Sequence, residues 1–332
     1  MSTAQSILQV LREASRIVIV SHKSPDGDSI GSSMALYHLL RKWQKEVTVV
    51  HPDAAPEFLH WVPGQQDIIA FEEKPDHGAQ LLAQAEVICC LDFNEPGRVG
   101  SIMQPFLENA PAVKIMIDHH LHPSDFCTYR ISETTIGSTA QLIFQWMEDA
   151  GVLTDLDTTI GTGIYLGMMT DTGSFRFPSV NAKTHQIAAH LIGIGLEHFR
   201  IHEQVFDTNT IDRLRLRGFA LSEKLVCLPG IPVAYISLTE QELSRFNYQK
   251  GDTEGLVNQV LSVKGIMMAA LFSQKDGKIK ISFRSKGDYK VNEMAAKYFH
   301  GGGHMYASGG ASDDSMEETV AKFVTIVHEF IP

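Results

Sequence analysis

An imidazole and two carboxylates, His22, Asp26 and Asp28, crowd into the short stretch SHKSPDGDSIGS at 21–32. The same residue types return further along: Asp92 in LDFNEPGRVG (91–100), Asp118, His119 and His120 in MIDHHLHP (116–123), and Asp171 in GMMTDTGSFRF (167–177). Carboxylate and imidazole together select divalent ions of intermediate hardness such as Mn2+, with Mg2+ and Zn2+ also compatible, over the soft ions that thiolates favour. There are more candidate ligands than one ion needs. They suit two ions roughly 3.5–4 Å apart that share a carboxylate, an arrangement that yields a hydroxide nucleophile and polarises a phosphoryl group for in-line attack. Taken singly, each position has a plainer reading, since an Asp after a strand is often a turn former or a helix N-cap. Recurrence at the ends of several predicted strands favours the functional one.

A second constellation lies far down the chain. Gly301, Gly302 and Gly303 are consecutive and lead into His304. Such glycines let backbone N–H groups surround an anion, and a histidine adds a charge-assisted hydrogen bond to phosphate. Arg284 and Lys286, in SFRSKG at 282–287, close a predicted strand and offer cationic partners. A glycine-rich surface loop is the plainer alternative.

The intervening pattern says what must position these groups. The β-branched run at 17–20 reads as a buried strand that delivers His22, Asp26 and Asp28. Further strands are expected at 46–51, 67–71, 87–93 and 112–117, with helices at 31–43 and 97–109. This alternation predicts an α/β fold with a mostly parallel sheet and helices on both faces. In such sheets the carboxyl ends of the strands share one edge, where ligands bind, so the clusters can converge there. Helices are expected at 137–150, 155–169 and 181–194. The charged stretch 196–220 reads as a linker. It would separate a metal-binding catalytic domain, 1–195, from a smaller α/β domain, 221–332, with the active site in the cleft between them. The second domain should hold strands at 233–238, 265–274 and 278–284, with a hairpin turn at Lys275-Asp276-Gly277. Helices are expected there near 241 and at 254–263, 292–299 and 315–329.

Bulk properties narrow the function. A length of 332 residues favours two domains, and 44% hydrophobic residues suffice for real cores. No apolar run is long enough to cross a bilayer, and the first residues lack the pattern of a signal peptide. Four cysteines without a CxxC point away from thiolate metal sites and disulfides and toward a reducing cytoplasm. A net charge of −11 argues against long duplex nucleic acid, which is held by basic surfaces, and leaves short or locally held phosphorylated ligands.

The five motifs, in this order over nearly the whole chain, resemble those of the DHH phosphoesterase superfamily. Its signature is Asp118-His119-His120 here, and its associated C-terminal domain carries GGGHMYASGG at 301–310. Within that superfamily the chain is similar to the bifunctional oligoribonuclease and 3′-phosphoadenosine 5′-phosphate phosphatase type. The resemblance implies a hydrolase with two Mn2+ ions. His22, Asp26 and Asp92 would hold one, and Asp28, Asp92, His119 and Asp171 the other. Asp118 would orient an imidazole, His120 would face the scissile phosphate, and Arg98 would help bind or order the site. Arg284, Gly301, Gly302, Gly303 and His304 would bind substrate. The implied partners are short oligoribonucleotides and small phosphorylated nucleotides, with no membrane, and a homodimer is compatible. Hydrolysis of cyclic di-AMP or pApA stands as the alternative within the superfamily. The glycine loop argues against a manganese pyrophosphatase, and the intact ligand set argues against a non-catalytic nucleotide-binding protein.

Overall fold

A computed structural model describes residues 2–331, the side chain of His304 excepted. The chain divides into two compact units, Met1–Thr208 and Asn209–Pro332. The division falls inside the stretch expected as a linker, and that stretch is helical on both sides of it.

The first unit contains, in order, α1 (Thr3–Glu13), β1 (Arg16–Val20), α2 (Gly27–Lys42), β2 (Glu46–His51), β3 (Ile69–Ala70), α3 (Pro75–Gln84), β4 (Val87–Leu91) and α4 (Gly100–Asn109). β5 (Val113–Asp118), β6 (Tyr129–Ser132), α5 (Thr139–Asp149), α6 (Thr158–Asp171), α7 (Ala182–Gly193) and α8 (His198–Phe206) complete it. Its sheet runs β3-β2-β1-β4-β5-β6, parallel at every pairing. The strand β6 is absent from the sequence expectation because Tyr-Arg-Ile-Ser is too short and too polar to stand out.

Residues on β1 and β4 alternate between two cores, which is why these strands read as continuous apolar runs. Ile17, Ile19, Cys89 and Leu91 face α1, α2, α5 and α6, while Val18, Val20, Ile88 and Cys90 face α3 and α4. Strand order reverses between β1 and β4, and the crevice outside their carboxyl ends is the switch point where open α/β sheets bind ligands. Across α2 and α6 the backbones touch: a Cβ on Gly31 would overlap the Gly163 carbonyl oxygen. That close approach brings the start of α2 and the end of α6 to one place.

The second unit contains α9 (Ile211–Glu223), β7 (Leu225–Cys227), β8 (Val233–Leu238), α10 (Glu240–Arg245), α11 (Leu256–Leu261), β9 (Met268–Lys275), β10 (Lys278–Ser285), α12 (Val291–Tyr298), β11 (Gly302–His304), β12 (Ala307–Ser312) and α13 (Met316–Ile326). Its mixed sheet runs β11-β12-β10-β9-β8-β7, with β8 and β9 the parallel pair. Phe272, Ile281 and Phe283 pack under α12 and α13 on one face, and Ile236, Ala269 and Leu271 under α9 to α11 on the other.

Candidate active site

His22 leaves the carboxyl end of β1, Asp92 that of β4, and His119 and His120 that of β5, where Asp118 is the last strand residue. Asp26 is the N-cap of α2, its side chain accepting from the Asp28 and Ser29 N–H groups, so the plain capping role and the candidate ligand role coexist in one carboxylate. Asp28 sits in the first turn of that helix, and Asp171 closes α6. Three groups of acids and imidazoles result, each able to surround one point: His22, Asp26 and Asp92; Asp92, His119 and His120; and Asp28, His119 and Asp171.

Asp92 joins them. Its Oδ2 lies 3.3 Å from His22 Nε2, and its Oδ1 lies 3.4 Å from His119 Nε2. His22 Nε2 is also 3.7 Å from Asp26 Oδ2. His119 Nε2 is 3.3 Å from Asp171 Oδ2 and 3.8 Å from Asp28 Oδ2. Asp92 itself adopts φ 65°, a left-handed conformation that Asp tolerates better than most residues and that turns the chain sharply after β4.

Both candidate metal-binding histidines are oriented from behind. His22 Nδ1 is 2.9 Å from the Lys23 carbonyl oxygen and His119 Nδ1 is 3.1 Å from that of Ile136. An imidazole that donates Nδ1–H to a carbonyl presents Nε2 forward, the arrangement that supports metal-bound histidines. His120 is held differently. Its Nδ1 is 2.7 Å from Asp118 Oδ1, and its backbone N–H donates to Asp118 Oδ2 at 3.1 Å.

The electrostatics favour a cation. Burial opposes ionisation of Asp92, but hydrogen bonds from His119 and His22 outweigh it and hold the carboxyl well below the usual range. Burial, together with the charges of Asp92 and Asp171, pushes Asp28 well above it. Asp171 is raised as well, chiefly by burial, although His119 pulls the other way. Burial lowers His22, yet Asp26 and Asp92 more than compensate and lift it to about 9. His119 is raised well above its ordinary value against its own burial, by Asp171 and Asp92. Crowding of the carboxylates thus favours proton uptake here. A divalent ion would relieve them in the same way, and the donor set of oxygen and imidazole nitrogen fits one.

Several contributors were not foreseen from the sequence. Asp28, fully buried, accepts from the Thr139 N–H at 2.6 Å and the Ala140 N–H at 2.9 Å, so the N-terminus of α5 helps hold its charge. The Thr139 hydroxyl donates to Asp92 Oδ1 at 3.0 Å. His51, buried at the end of β2, accepts or donates at Ser33 Oγ across 3.0 Å and is kept neutral, its pKa driven to about 3 by burial and by His22. The run IGSTA at 136–140 did signal a helix start, with Ser138 as N-cap, but nothing local tied it to Asp28 and Asp92.

Arg98 lies on a short 3-10 turn, Pro96–Val99, just beyond Asp92, and its positive charge acts on His22. In the second unit, Arg284 of β10 and His304 of β11 both pair with Ala307 of the intervening β12, one from each side. Gly302 and Gly303 enter that ladder instead of standing as an open loop, and the Gly301 N–H donates to the Ala295 carbonyl at 3.1 Å. A Cβ on Gly301 would overlap the Gly309 carbonyl oxygen, so close backbone packing alone demands glycine there. The His304 side chain lies outside the described residues.

Residues 16–168 match the model of the DHH family, N-terminal domain, and residues 230–332 that of the DHHA1 domain. The chain belongs to the DHH family. As a DHH protein it is an enzyme that hydrolyses phosphoester bonds. It is 29% identical over 294 residues to the bifunctional oligoribonuclease and PAP phosphatase NrnA of Thermus thermophilus, covering 88% of this chain and 83% of that protein. With the protein of the same name from Bacillus subtilis it shares 27% identity over 94% of this chain and 95% of the relative. Among solved structures, an exopolyphosphatase-related protein from Bacteroides fragilis superposes with a TM-score of 0.94 at 41% identity, covering 99% of this chain and 96% of that one. No helix of this DHH protein, among the described residues, is long and apolar enough to cross a membrane.

Proposed function

We propose that this phosphoesterase uses two divalent ions, Mn2+ foremost, to hydrolyse short oligoribonucleotides to mononucleotides and 3′-phosphoadenosine 5′-phosphate to AMP. The observation that carries the reading is the double allegiance of Asp92, whose two oxygens face His22 and His119 beyond the ends of separate strands. His22, Asp26 and Asp92 would hold one ion, and Asp28, Asp92, His119 and Asp171 the other. Bound there, the ions would lower the pKa of a water and polarise the phosphoryl group.

The remaining steps belong to side chains. Asp118 fixes the His120 ring through Nδ1, which places His120 to donate from Nε2 to a phosphoryl or leaving-group oxygen. Arg98 adds positive charge beside the reacting phosphate. In the second unit, Arg284, His304 and the edge-strand backbone at Gly302 and Gly303 bind a terminal phosphate, while the Gly301 N–H is spent on the Ala295 carbonyl. The register of Arg284 and His304 on either side of Ala307 supports this, because it sets both in one stripe across the sheet. The substrates named for the two relatives support the choice of nucleotides. The net charge of −11 agrees with short ligands, and the free cysteines agree with a reducing cytoplasm.

One substrate panel with Mn2+ tests the proposal: labelled di- to pentanucleotides, a 24-mer, 3′-phosphoadenosine 5′-phosphate, cyclic di-AMP, pApA and pyrophosphate. Cleavage of the short RNAs and of the bisphosphate, with Asp92→Ala inactive on all, is the expected result. A fully active Asp92→Ala enzyme would refute the shared two-ion mechanism, and turnover of cyclic di-AMP or pApA alone would reassign the substrate.

A further inference from the structure

Held in one orientation, the Asp92 carboxylate would offer Oδ1 and Oδ2 to different partners, as it does to His119 and His22. His22 and His119 approach its two oxygens and can hydrogen-bond to them. With their Nε2 lone pairs given to a metal, those histidines would no longer donate to Asp92. His120 Nδ1 is 3.8 Å from Asp92 Oδ1 and is engaged by Asp118 at 2.7 Å. Among the described residues this leaves the Thr139 hydroxyl, 3.0 Å from Asp92 Oδ1 and buried, as the donor that persists.

We infer that Thr139 is a positioning residue for the metal centre: its hydroxyl locks the Asp92 carboxylate in the bridging orientation, while its backbone N–H anchors Asp28. The two functions are separable because one is side chain and the other main chain. A hydroxyl at the first position of a helix would ordinarily serve its own helix end or solvent. Here Ser138 already caps α5, its Oγ accepting from the Gln141 N–H at 3.1 Å, and the Thr139 hydroxyl is directed to a carboxylate from another strand instead. Helix α5 therefore addresses two candidate ligands from its first turn, Asp28 through Thr139 and Ala140 and Asp92 through the Thr139 side chain. Supporting groups of this kind typically govern affinity by about 10–100-fold.

The inference rests on the proposed two-ion site, and the test separates the two. Mn2+ binding to the metal-free protein is measured by calorimetry, and the spin-coupled signal of a carboxylate-bridged Mn2+ pair by electron paramagnetic resonance, for wild type, Thr139→Val, Thr139→Ser and Asp92→Ala. Thr139→Val should bind Mn2+ about 10–100-fold more weakly and lose the coupled signal, while Thr139→Ser, which restores the hydroxyl, stays within about 3-fold of wild type. If Thr139→Val does not fold, as judged by circular dichroism, Thr139→Ala is read by the same criteria. Wild-type binding and coupling in the hydroxyl-free variant overturn the inference. So does a Thr139→Ser variant as impaired as Thr139→Val, since packing rather than the hydroxyl would then be responsible. Asp92→Ala that binds Mn2+ like wild type overturns the site itself, and Asp92→Ala impaired with Thr139→Val intact overturns the role of Thr139 alone.

Discussion

Gly167 of α6 lies directly against Asp28 of α2: a Cβ added to it would overlap Asp28 Oδ1 and stand 2.5 Å from the Ala140 Cβ. The helix that ends in Asp171 thus leaves room for the Asp28 carboxylate by omitting a side chain. Gly167→Ala should push Asp28 off the α5 N-terminus, weaken Mn2+ binding and cost about 1–3 kcal/mol of stability, the usual penalty for overpacking. Gly218, exposed in α9 with open space around it, is the control. Gly218→Ala should be neutral or stabilising by up to about 1 kcal/mol. Thermal melts and calorimetry check both; equal effects at the two positions would contradict the packing argument.

Proton binding and metal binding should oppose one another. His22 is lifted from 6.5 to about 9, against its own burial, by Asp26 and Asp92. A group raised on folding contributes stability that is fully present below its unfolded value and is lost as pH rises through its folded value. The metal-free protein should therefore lose stability between pH 6.5 and about 9, and His119, raised as well, acts in the same sense. Mn2+ requires neutral imidazole, so its affinity should climb over that window with release of protons. Calorimetry in buffers of different ionisation enthalpy counts the protons, and His22→Gln should flatten both profiles. No proton release at pH 7 would contradict the picture.

Asp118 touches His120 through both of its oxygens. Asp118→Asn should leave Mn2+ affinity near wild type, because His22 and His119 are held instead by the carbonyls of Lys23 and Ile136. The rate constant kcat should fall by about 100-fold or more, the scale of a general acid or base contribution. A matching loss of Mn2+ affinity would make Asp118 part of the metal site instead.

Arg284→Ala and His304→Ala should raise KM for short phosphorylated substrates while Mn2+ content is unchanged. Loss of one charge-assisted hydrogen bond, about 1.5–3 kcal/mol, corresponds to roughly 10–150-fold. Unchanged Michaelis constants would remove the second unit from substrate binding.

The amino-acid sequence by itself determined much of this protein. Apolar runs ending in Asp and His marked β1, β4 and β5 because a strand buried on both faces must be apolar until it reaches the sheet edge, where polar groups first become tolerable. The same logic placed His22, Asp92 and His119 at one edge. Short or polar pieces such as β6, and the glycine strand β11, carry no such contrast and emerged only from their partners in the sheet. Nor could local pattern reveal that Thr139 and Ala140 would meet Asp28 across 111 and 112 residues, that Gly31 would touch Gly163, or that Gly167 would make room for a carboxylate. Those relations exist because α2, α5 and α6 pack against one another, and packing is set by the shapes of surfaces far apart in the chain. Residue chemistry declared the candidate ligands; the packing of three helices decided how they are held.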